Sequence, residues 1–330
     1  MDESINLCVV GPVFNEEAVL EAFHHRLTAV LETMGIVWEI LYVEDGSADR
    51  TPEMLREFQA GDPRVSVVNL SRNFGKEIAS TVGLDLARGK AVVLIDTDLQ
   101  DPPELIRELY ARFLEGADNV YAQRRSRKGE SWFKKSSAHL FYRLIQKFSR
   151  VPIPVDTGDF RLLSRRAVEA LKKLREQHRY MKGLFAWVGY RAVAVPYDRD
   201  ARFAGTTKWN FVKLLNLAVE GVTSFTTFPL RLASLAGTLT ALLAFAYGLW
   251  VFGKALLFGD PVAGYPTLMT VILFLGGIQL MALGMIGEYL GRTFDEVKNR
   301  PLYLVQEYRC SPEEELVNRT GRPKAGSPGS

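Results

Sequence analysis

One stretch decides the fold of this chain: residues 91–104, with the sequence AVVLIDTDLQDPPE. Its apolar, β-branched first half is short and ends in a charged turn and two prolines, which is typical of a strand buried on both faces inside a parallel sheet. Ligands bind at the carboxyl ends of the strands in such sheets. Asp96 and Asp98 lie at that end, so an extended backbone would place both carboxylates on one face.

Two carboxylates at one strand end suit a hard divalent cation. Carboxylate oxygens prefer Mg²⁺ or Mn²⁺, and Mg²⁺ is usually held by one or two carboxylates together with the phosphates of its substrate. The pattern therefore predicts a nucleoside diphosphate site with Asp96 and Asp98 as metal ligands. The alternative is that both are turn and helix-capping residues, because Pro102 and Pro103 suit the start of the next helix. The stretch leaves both interpretations open.

Strand-like and helix-like runs alternate around this stretch. Besides the run from Ala91, the predicted strands are a run from Leu7, residues 39–43, residues 65–70 and a run near Val120. This alternation predicts an α/β fold with a mostly parallel, doubly wound sheet. The first strand is not followed by a G-x-G-x-x-G pattern and the chain has no Walker A motif, which argues against dinucleotide oxidoreductases and P-loop enzymes.

Composition narrows the class of protein further. The 330 residues are enough for one sizeable domain and an appendage, and a net charge of +3 is too small to predict nucleic acid as a partner. Cys8 and Cys310 lie too far apart in sequence to predict a disulfide framework or a zinc site, so a reduced, cytosol-facing compartment is expected. The N-terminus shows no signal-peptide pattern.

Two apolar stretches, residues 232–252 and 265–286, carry no charged residue. Each has roughly the ~20 residues that span a bilayer core, which predicts a transmembrane hairpin; the alternative is a pair of buried core helices. The loop between them carries Lys254 offset by Asp260, whereas basic residues flank the outer ends of the hairpin. These flanking residues are Arg231, Arg292, Lys298 and Arg300. The asymmetry predicts that both termini are cytosolic.

Four motifs in fixed order indicate a known family: PVFNEE at 12–17, VEDGSADRT at 43–51, NFGKE at 73–77 and DTDLQDPP at 96–103. From about Asn6 to Arg300 the chain resembles the inverting family-2 glycosyltransferases, which have a GT-A fold. It is most similar to the polyprenyl-phosphate branch, which includes dolichyl-phosphate mannose synthases and bactoprenol glucosyltransferases. Glu44 stands where many relatives have Asp or Asn, which leaves the nucleotide base open.

The resemblance implies a role for individual residues. Those matching nucleoside-holding positions are Pro12, Phe14, Glu16 and Asp45. Those matching the diphosphate and metal positions are Asp96, Asp98 and Gln100, with Asp98 favoured as the direct metal ligand. Lys76 either meets a donor phosphate or is a solvated lysine.

On the acceptor side, the resemblance makes Asp159 the proposed base and places Asp156 in the same loop, where it is either an acceptor residue or a plain loop residue. A basic loop matching the mobile loop of this branch supplies candidates for the phosphates, because guanidinium pairs phosphate bidentately. These candidates are Arg199, Arg202 and Lys208, with Arg202 included among the catalytic residues.

The ionisation of the acceptor phosphate bears on whether Asp159 has to act as a general base. A phosphate monoester has a second pKa near 6, so at pH 7 it is mostly dianionic and already nucleophilic. A general base is less necessary for it than for a sugar hydroxyl. We therefore expect Asp159 mainly to orient the acceptor and the neighbouring cations.

The predicted domain organisation has four parts. Residues 1–208 form a cytosolic GT-A catalytic domain, including an interfacial amphipathic helix at about 131–148 whose alternative is an ordinary solvated surface helix. A juxtamembrane amphipathic helix at 209–229 follows. Residues 230–290 hold the two transmembrane helices, and 291–330 form a cytosolic tail.

The predicted function is transfer of a hexose, glucose from UDP-glucose, to undecaprenyl phosphate at the cytosolic face of a cell inner membrane. Mg²⁺ or Mn²⁺ is the expected cofactor. The resemblance implies a homo-oligomer, with a tetramer as one option. Two alternatives stay open: the same reaction with GDP-mannose or another UDP-sugar, and a non-catalytic membrane anchor or flippase partner that retains the fold.

Overall fold

A computed structural model describes residues 5–125, 157–198 and 264–310, together with scattered positions between 235 and 257. The chain divides into two compact units. The described residues of the first are 5–125, 157–198 and 301–310, and those of the second are 264–300 and the scattered positions. The helices predicted at about 131–148 and at 209–229 lie outside the described residues.

The first unit is built on one eight-stranded sheet with the order β7-β5-β6-β4-β1-β2-β3-β8. Its strands are β1 Leu7–Val13, β2 Trp38–Glu44, β3 Val65–Leu70, β4 Ala91–Leu94, β5 Asn119–Arg124, β6 Thr157–Ser164, β7 Ala192–Tyr197 and β8 Val305–Arg309. Its helices are α1 Leu20–Glu32, α2 Thr51–Gly61, α3 Lys76–Leu86, α4 Ile106–Leu114 with a 3₁₀ turn at Pro103–Leu105 before it, α5 Arg165–Lys172 and α6 Met181–Trp187. This is the Rossmann-like GT-A architecture that the resemblance implied.

The centre of the sheet is parallel, as predicted. β1 pairs in parallel with both β2 and β4, so that Leu7 lies opposite Trp38 on one side and Ala91 on the other. All four residues of β4 are buried, because helices cover both faces of a central parallel strand and both faces must then be apolar. The prediction of a doubly buried strand from residue 91 is confirmed.

β6 makes the sheet mixed, because it runs antiparallel between β4 and β5. Arg161 lies opposite Leu94, so the beginning of β6 meets the carboxyl end of β4. The antiparallel direction therefore brings Asp159, the third residue of β6, to the ligand-binding edge of the sheet.

β8 completes the sheet from residues that follow the long helix of the second unit. It pairs antiparallel with β3, with Tyr308 opposite Val68. Ser71 N donates to Leu304 O at 3.0 Å, and Tyr303 Oη donates to the Asp85 carboxylate at 3.0 Å. The sequence-based division, which ended the catalytic domain at residue 208, did not anticipate this strand.

The second unit contains one long described helix, α7 Tyr265–Lys298, of 34 residues. Within the described part of the chain it is the one helix whose length and composition would allow it to cross a membrane, over Phe274–Lys298 with a mean hydropathy of 1.2. It includes the second predicted span, 265–286, and continues to Lys298. The described positions of the first predicted span, 232–252, are also helical.

Candidate functional site

The loops after β1 and β2 are tied together at the carboxyl edge of the sheet. Asn15 N donates to Ser47 Oγ at 3.0 Å, and Asn15 Oδ1 accepts from Ala48 N at 2.8 Å. Asn15 has a φ of 53°, a left-handed conformation that Asn adopts more readily than most residues. Glu16 N donates to Thr51 Oγ1 at 3.1 Å. The PVFNEE and VEDGSADRT motifs therefore hold each other in place.

Glu16 and Glu17 lie in the loop before α1, which begins at Leu20. The Glu17 carboxylate accepts from Arg50 N at 3.1 Å. The side chain thus fixes the β2 loop and does not cap the helix.

Asp45 connects the β2 loop to the loop after β3. Its buried carboxylate accepts from Phe74 N at 2.7 Å and from Gly75 N at 2.9 Å. Burial raises the pKa of Asp45 above its ordinary value, although these two hydrogen bonds act in the opposite direction. Its described contacts therefore position the NFGKE loop, and its predicted contact with a nucleoside stays a prediction.

Gly46 is required by the close approach of these loops. Its φ is +72°, and a Cβ atom there would lie 2.6 Å from Asn73 N. Both the conformation and the space therefore favour glycine over any other residue.

The loop after β4 departs from the extended geometry that the sequence suggested. β4 ends at Leu94, and the backbone bends over 97–99, where Leu99 has a φ of 59°. The alternation of a strand therefore does not extend to Asp96 and Asp98. Gln100 N donates to Asp98 Oδ1 at 3.1 Å, which makes Asp98 a turn residue as the alternative interpretation held. Neither carboxylate caps the following 3₁₀ turn.

Lys76 brings two predicted site residues together. Its Nζ lies 2.7 Å from Asp96 Oδ2 and 2.8 Å from Asp159 Oδ2. Burial acts to lower the pKa of Lys76, but the two carboxylates outweigh it and hold that pKa well above its ordinary value. Lys76 is thus a paired cation within the site, although its side chain is still 48% exposed.

Asp159 lies between several positive charges. Burial acts to raise its pKa, but the charges of Lys76, Lys182 and Arg161 overcome this effect and hold the pKa below its ordinary value. The carboxylate is therefore ionised at neutral pH and is a weak proton acceptor. Its Oδ1 atom is buried and has no hydrogen-bond partner among the described residues.

Three residues near Asp159 were not predicted as site residues. Glu77 Oε2 accepts from Met181 N at 2.9 Å, and burial, followed by the charge of Asp159, raises the pKa of Glu77 to about 7. Arg161 is buried, donates to Gly158 O at 3.0 Å and stacks 3.8 Å from the Phe185 ring centroid. Burial lowers the pKa of Arg161 to about 10. The third residue is Lys182.

The sequence contained partial signals for two of these three residues. Glu77 is adjacent to Lys76 in the NFGKE motif, and Arg161 follows Asp159 by two positions in β6. Lys182 follows no motif, and only the packing of α6 near β6 identifies it.

A second group of polar residues adjoins the start of β6. Tyr197 Oη donates to Asp101 Oδ1, and burial, with the nearby Asp101 carboxylate, raises the pKa of Tyr197. Arg124 lies close by, since a Cβ atom added at Gly158 would be 3.6 Å from Arg124 Nη2 and 3.9 Å from Asp101 Oδ2. Arg124 therefore places a further positive charge beside the β6 strand.

Asp96 and Asp98 fit a divalent cation whose remaining ligands come from the substrate. Among the described residues, His, Cys, Asp and Glu side chains do not form a group of three or more that could hold a metal alone. Asp98 accepts one backbone hydrogen bond at Oδ1, and Asp96 has its ion pair at Oδ2. Two carboxylates completed by substrate phosphates are a usual arrangement for Mg²⁺.

The other predicted site residues differ in their burial and contacts, and some lie outside the described residues. Pro12 O accepts from Thr97 Oγ1 at 3.3 Å, Gln100 is buried, and the Phe14 ring is 39% exposed. Four acceptor-side predictions lie outside the described residues: Asp156, Arg199, Arg202 and Lys208.

Comparison with known proteins gives two family matches. The glycosyl transferase family 2 model matches residues 8–172, and the model of the GtrB C-terminal hairpin matches residues 228–293. An uncharacterized glycosyltransferase of Synechocystis is 51% identical over 304 residues, which cover 92% of this chain and 96% of that protein. A prophage-derived bactoprenol glucosyl transferase of Shigella flexneri is 45% identical over 303 residues, covering 92% and 98%.

Among solved structures, the chain is similar to glucosyl-3-phosphoglycerate synthase from Mycobacterium tuberculosis. The TM-score is 0.45 at 21% identity, over 65% of this chain and 76% of that one. Mannosyl-3-phosphoglycerate synthase from Rubrobacter xylanophilus has a TM-score of 0.45 at 18% identity, over 66% and 71%.

Proposed function

The chain belongs to glycosyl transferase family 2, and from this membership we propose that it transfers a hexose, glucose from UDP-glucose, to the phosphate of a polyprenyl carrier. The observation that carries the proposal is the similarity to proteins named bactoprenol glucosyl transferases, which extends over nearly the whole of both chains. That similarity includes the catalytic unit and the C-terminal hairpin.

The donor occupies the edge formed by the loops after β1, β2 and β4. The exposed Phe14 supplies an apolar surface for the nucleoside. Pro12, Glu16 and Asp45 are proposed to contribute to the same nucleoside site. Lys76 and Gln100 lie on the diphosphate side. Ion pairs with Asp96 and Asp159 hold the Lys76 ammonium in place, so its positive charge lies beside the proposed position of the diphosphate.

The reaction we propose inverts the anomeric carbon. The acceptor phosphate oxygen attacks that carbon from the face opposite the nucleoside diphosphate, the carbon–oxygen bond to the diphosphate breaks, and negative charge grows on the leaving group. Asp98 and Asp96 would hold a divalent cation, Mg²⁺ or Mn²⁺, which supplies Lewis-acid stabilisation of that charge. Arg199, Arg202 and Lys208 are proposed to bind the donor and acceptor phosphates.

Asp159 orients the acceptor in this scheme and does not remove a proton. A general base works best when its pKa is near the operating pH, and the surrounding cations hold the pKa of Asp159 far below neutrality. The acceptor needs no base, because a phosphate monoester is mostly dianionic at pH 7.

We propose a membrane location for the enzyme, with its catalytic unit and both termini on the cytosolic side. The match to a C-terminal hairpin supports it, as do the large apolar side chains that α7 exposes, such as Leu280 and Met281. We also propose that this chain self-associates. The molecular mass of the protein solubilised in detergent tests this proposal.

A transfer assay with the purified full chain in detergent tests the proposed function. Undecaprenyl phosphate and Mg²⁺ or Mn²⁺ are incubated with radiolabelled UDP-glucose, UDP-galactose, UDP-N-acetylglucosamine or GDP-mannose in turn. We expect label from UDP-glucose to enter the lipid phase, and we expect EDTA or Asp98→Ala to lower the rate by at least about 100-fold. Glu57→Gln, which changes an exposed carboxylate on α2, is the control and retains the wild-type rate.

Each other result has a definite meaning. Transfer from a different donor corrects the sugar and keeps the reaction. Binding of nucleotide sugars without transfer contradicts the proposed acceptor. Absence of both binding and transfer supports a non-catalytic membrane protein.

A further inference from the structure

Lys182 is a second lysine near Asp159. It lies on α6, whereas Lys76 lies on α3. Lys182 is the second residue of α6, and its charge acts on the carboxylates of both Asp159 and Glu77. No hydrogen bond or ion pair joins its ammonium to another residue of the described ranges 5–125, 157–198 and 264–310. Lys182 therefore differs from Lys76, whose ammonium already contacts two carboxylates.

The position of Lys182 is set from α3. Glu77 Oε2 accepts from the backbone N–H of Met181, the residue before Lys182, at 2.9 Å. Thr81, one turn further along α3, donates its hydroxyl to Glu77 O at 2.8 Å, and the same Oγ1 atom lies 3.7 Å from Met181 Sδ. These contacts hold the first turn of α6 against the helix that begins with Lys76.

An acceptor phosphate beside Asp159 needs a free cation. The phosphate is mostly dianionic and the Asp159 carboxylate is ionised, so the two repel each other unless positive charge lies between them. Arg161 is engaged by Gly158 O and by the Phe185 ring, and Lys76 by Asp96 and Asp159. Of the unpartnered atoms of Arg161, its Nε is buried and shielded from a ligand. Among the described cations that act on Asp159, Lys182 is therefore the one whose charged group as a whole is left for a ligand.

We propose that Lys182 binds the phosphate monoester of the acceptor, and that Glu77 is a positioning residue that holds Lys182 beside Asp159 through the Met181 backbone. The inference rests on the proposed function for the nature of the acceptor. It adds a cation from the catalytic unit itself to the arginines and lysine predicted in the 199–208 loop.

The test compares Lys182→Met and Lys182→Arg in the full chain in detergent. Lys173→Met, which removes an exposed lysine at the end of α5, is the matched control. We expect Lys182→Met to raise the KM for undecaprenyl phosphate roughly tenfold or more, the size expected for a lost charge-assisted hydrogen bond, with the KM for the sugar nucleotide unchanged. Lys182→Arg keeps the charge and recovers most of the affinity.

Variants of Glu77 test the positioning role. Glu77→Ala removes the acceptor of the Met181 N–H and should raise the acceptor KM as Lys182→Met does. Glu77→Gln retains a carbonyl oxygen for that hydrogen bond and should rescue the acceptor KM. The thermal melting midpoint of each variant distinguishes this effect from a general loss of folding.

Equilibrium binding of radiolabelled farnesyl phosphate, with farnesol as the control ligand, separates this inference from the proposed function. Weaker binding of farnesyl phosphate to Lys182→Met than to wild type supports the inference even if no donor sugar is transferred. An unchanged acceptor KM with unchanged farnesyl phosphate binding overturns it, and so does an effect on the KM of the sugar nucleotide alone. If the wild type transfers sugar but Lys182→Met binds farnesyl phosphate as tightly as the wild type does, the inference is wrong and the proposed function stands.

Discussion

Lys76 Nζ lies 2.8 Å from Asp159 Oδ2, and this ion pair joins the first turn of α3 to the start of β6. The two residues are separated by 83 positions in sequence (159 − 76), and Lys76 belongs to the NFGKE motif whereas Asp159 belongs to the acceptor-side loop. The pair places a positive charge between the edge where we propose the donor binds and the strand where we propose the acceptor arrives. Several consequences for pH dependence come from it.

Replacing Lys76 should change the pKa of Asp159. The charge of Lys76 contributes to the low pKa of Asp159, so Lys76→Met raises that pKa and protonates Asp159 at a higher pH. We expect carbon-13 NMR of the labelled aspartate carboxyls to show Asp159 protonating at a higher pH in Lys76→Met than in the wild type, and near the wild-type pH in Lys76→Arg. A titration of Asp159 that does not move in Lys76→Met would contradict the influence of this ion pair.

Asp159→Asn distinguishes orientation from proton removal. If Asp159 orients the acceptor, the variant loses activity at every pH from 6 to 9, because the contact is lost whatever the protonation state of the phosphate. If Asp159 is a base, activity recovers above pH 7, where the phosphate is already dianionic. Initial rates across this pH range with saturating donor make the measurement, and we expect no recovery.

Glu77 predicts how stability depends on pH. Burial and the charge of Asp159 raise its pKa from 4.5 to about 7, so the folded state binds a proton that the unfolded state releases between these values. Stability should therefore fall as pH rises from about 4.5 to 7, by on the order of 3 kcal/mol for this group. We expect Glu77→Gln to remove that part of the slope, measured as the melting midpoint against pH. A slope equal to that of the wild type contradicts the raised pKa.

Alanine substitutions at Gly46 and at two other glycines separate the cost of a left-handed backbone from the cost of a steric clash. Gly46→Ala adds a Cβ at a φ of +72° and 2.6 Å from Asn73 N, so we expect a loss of roughly 2–4 kcal/mol in the free energy of unfolding. Gly35 has a φ of +62° with nothing within 4 Å, so Gly35→Ala should cost only about 1 kcal/mol. Gly61→Ala, at an open position in α2, should be neutral or slightly stabilising. Equal losses at Gly46 and Gly35 would contradict the close contact.

The strand β8 predicts the effect of shortening the chain. A chain that stops after residue 300 loses the Ser71–Leu304 and Tyr303–Asp85 hydrogen bonds and the β3–β8 ladder. We expect its melting midpoint to fall by at least about 5 °C, whereas a chain that stops after residue 310 should melt like the full chain. Equal melting of the two shortened chains would show that β8 does not stabilise the catalytic unit.

Much of this fold could be predicted from local sequence, because its central strands are short apolar runs bounded by turn residues. The bounds of β3, 65–70, match the prediction, and β1, β2 and β4 lie within a few residues of theirs. β6 and β8 could not be predicted in place, since an antiparallel strand chooses its partner through tertiary packing. The mixed character of the sheet follows from these two strands.

The candidate site was predictable to a similar extent. Lys76 and Asp96 belong to motifs in fixed order, and Asp159 belongs to the acceptor-side loop, so the family resemblance identified all three. The structure brings their side chains together. Glu77 contacts the Met181 backbone, next to Lys182, only because α6 packs on α3, and these residues are more than 100 positions apart. No local pattern records such a contact. The bend at 97–99 agrees with the turn that the sequence left open as the alternative to an extended strand end.

The position of β8 constrains the order in which the protein is made. Asn69 and Glu307 are hydrogen-bonded at 3.4 Å although 238 residues separate them, and the apolar α7 is translated between them. A ribosome therefore releases β1 to β7 while the outer edge of β3 still lacks its partner. Unpaired edges of this kind recruit other strands, so the nascent chain carries an aggregation-prone edge until the residues after α7 have been synthesised. Slower synthesis of the stretch that contains α7 would prolong the exposure, which couples the yield of folded enzyme to the rate of translation.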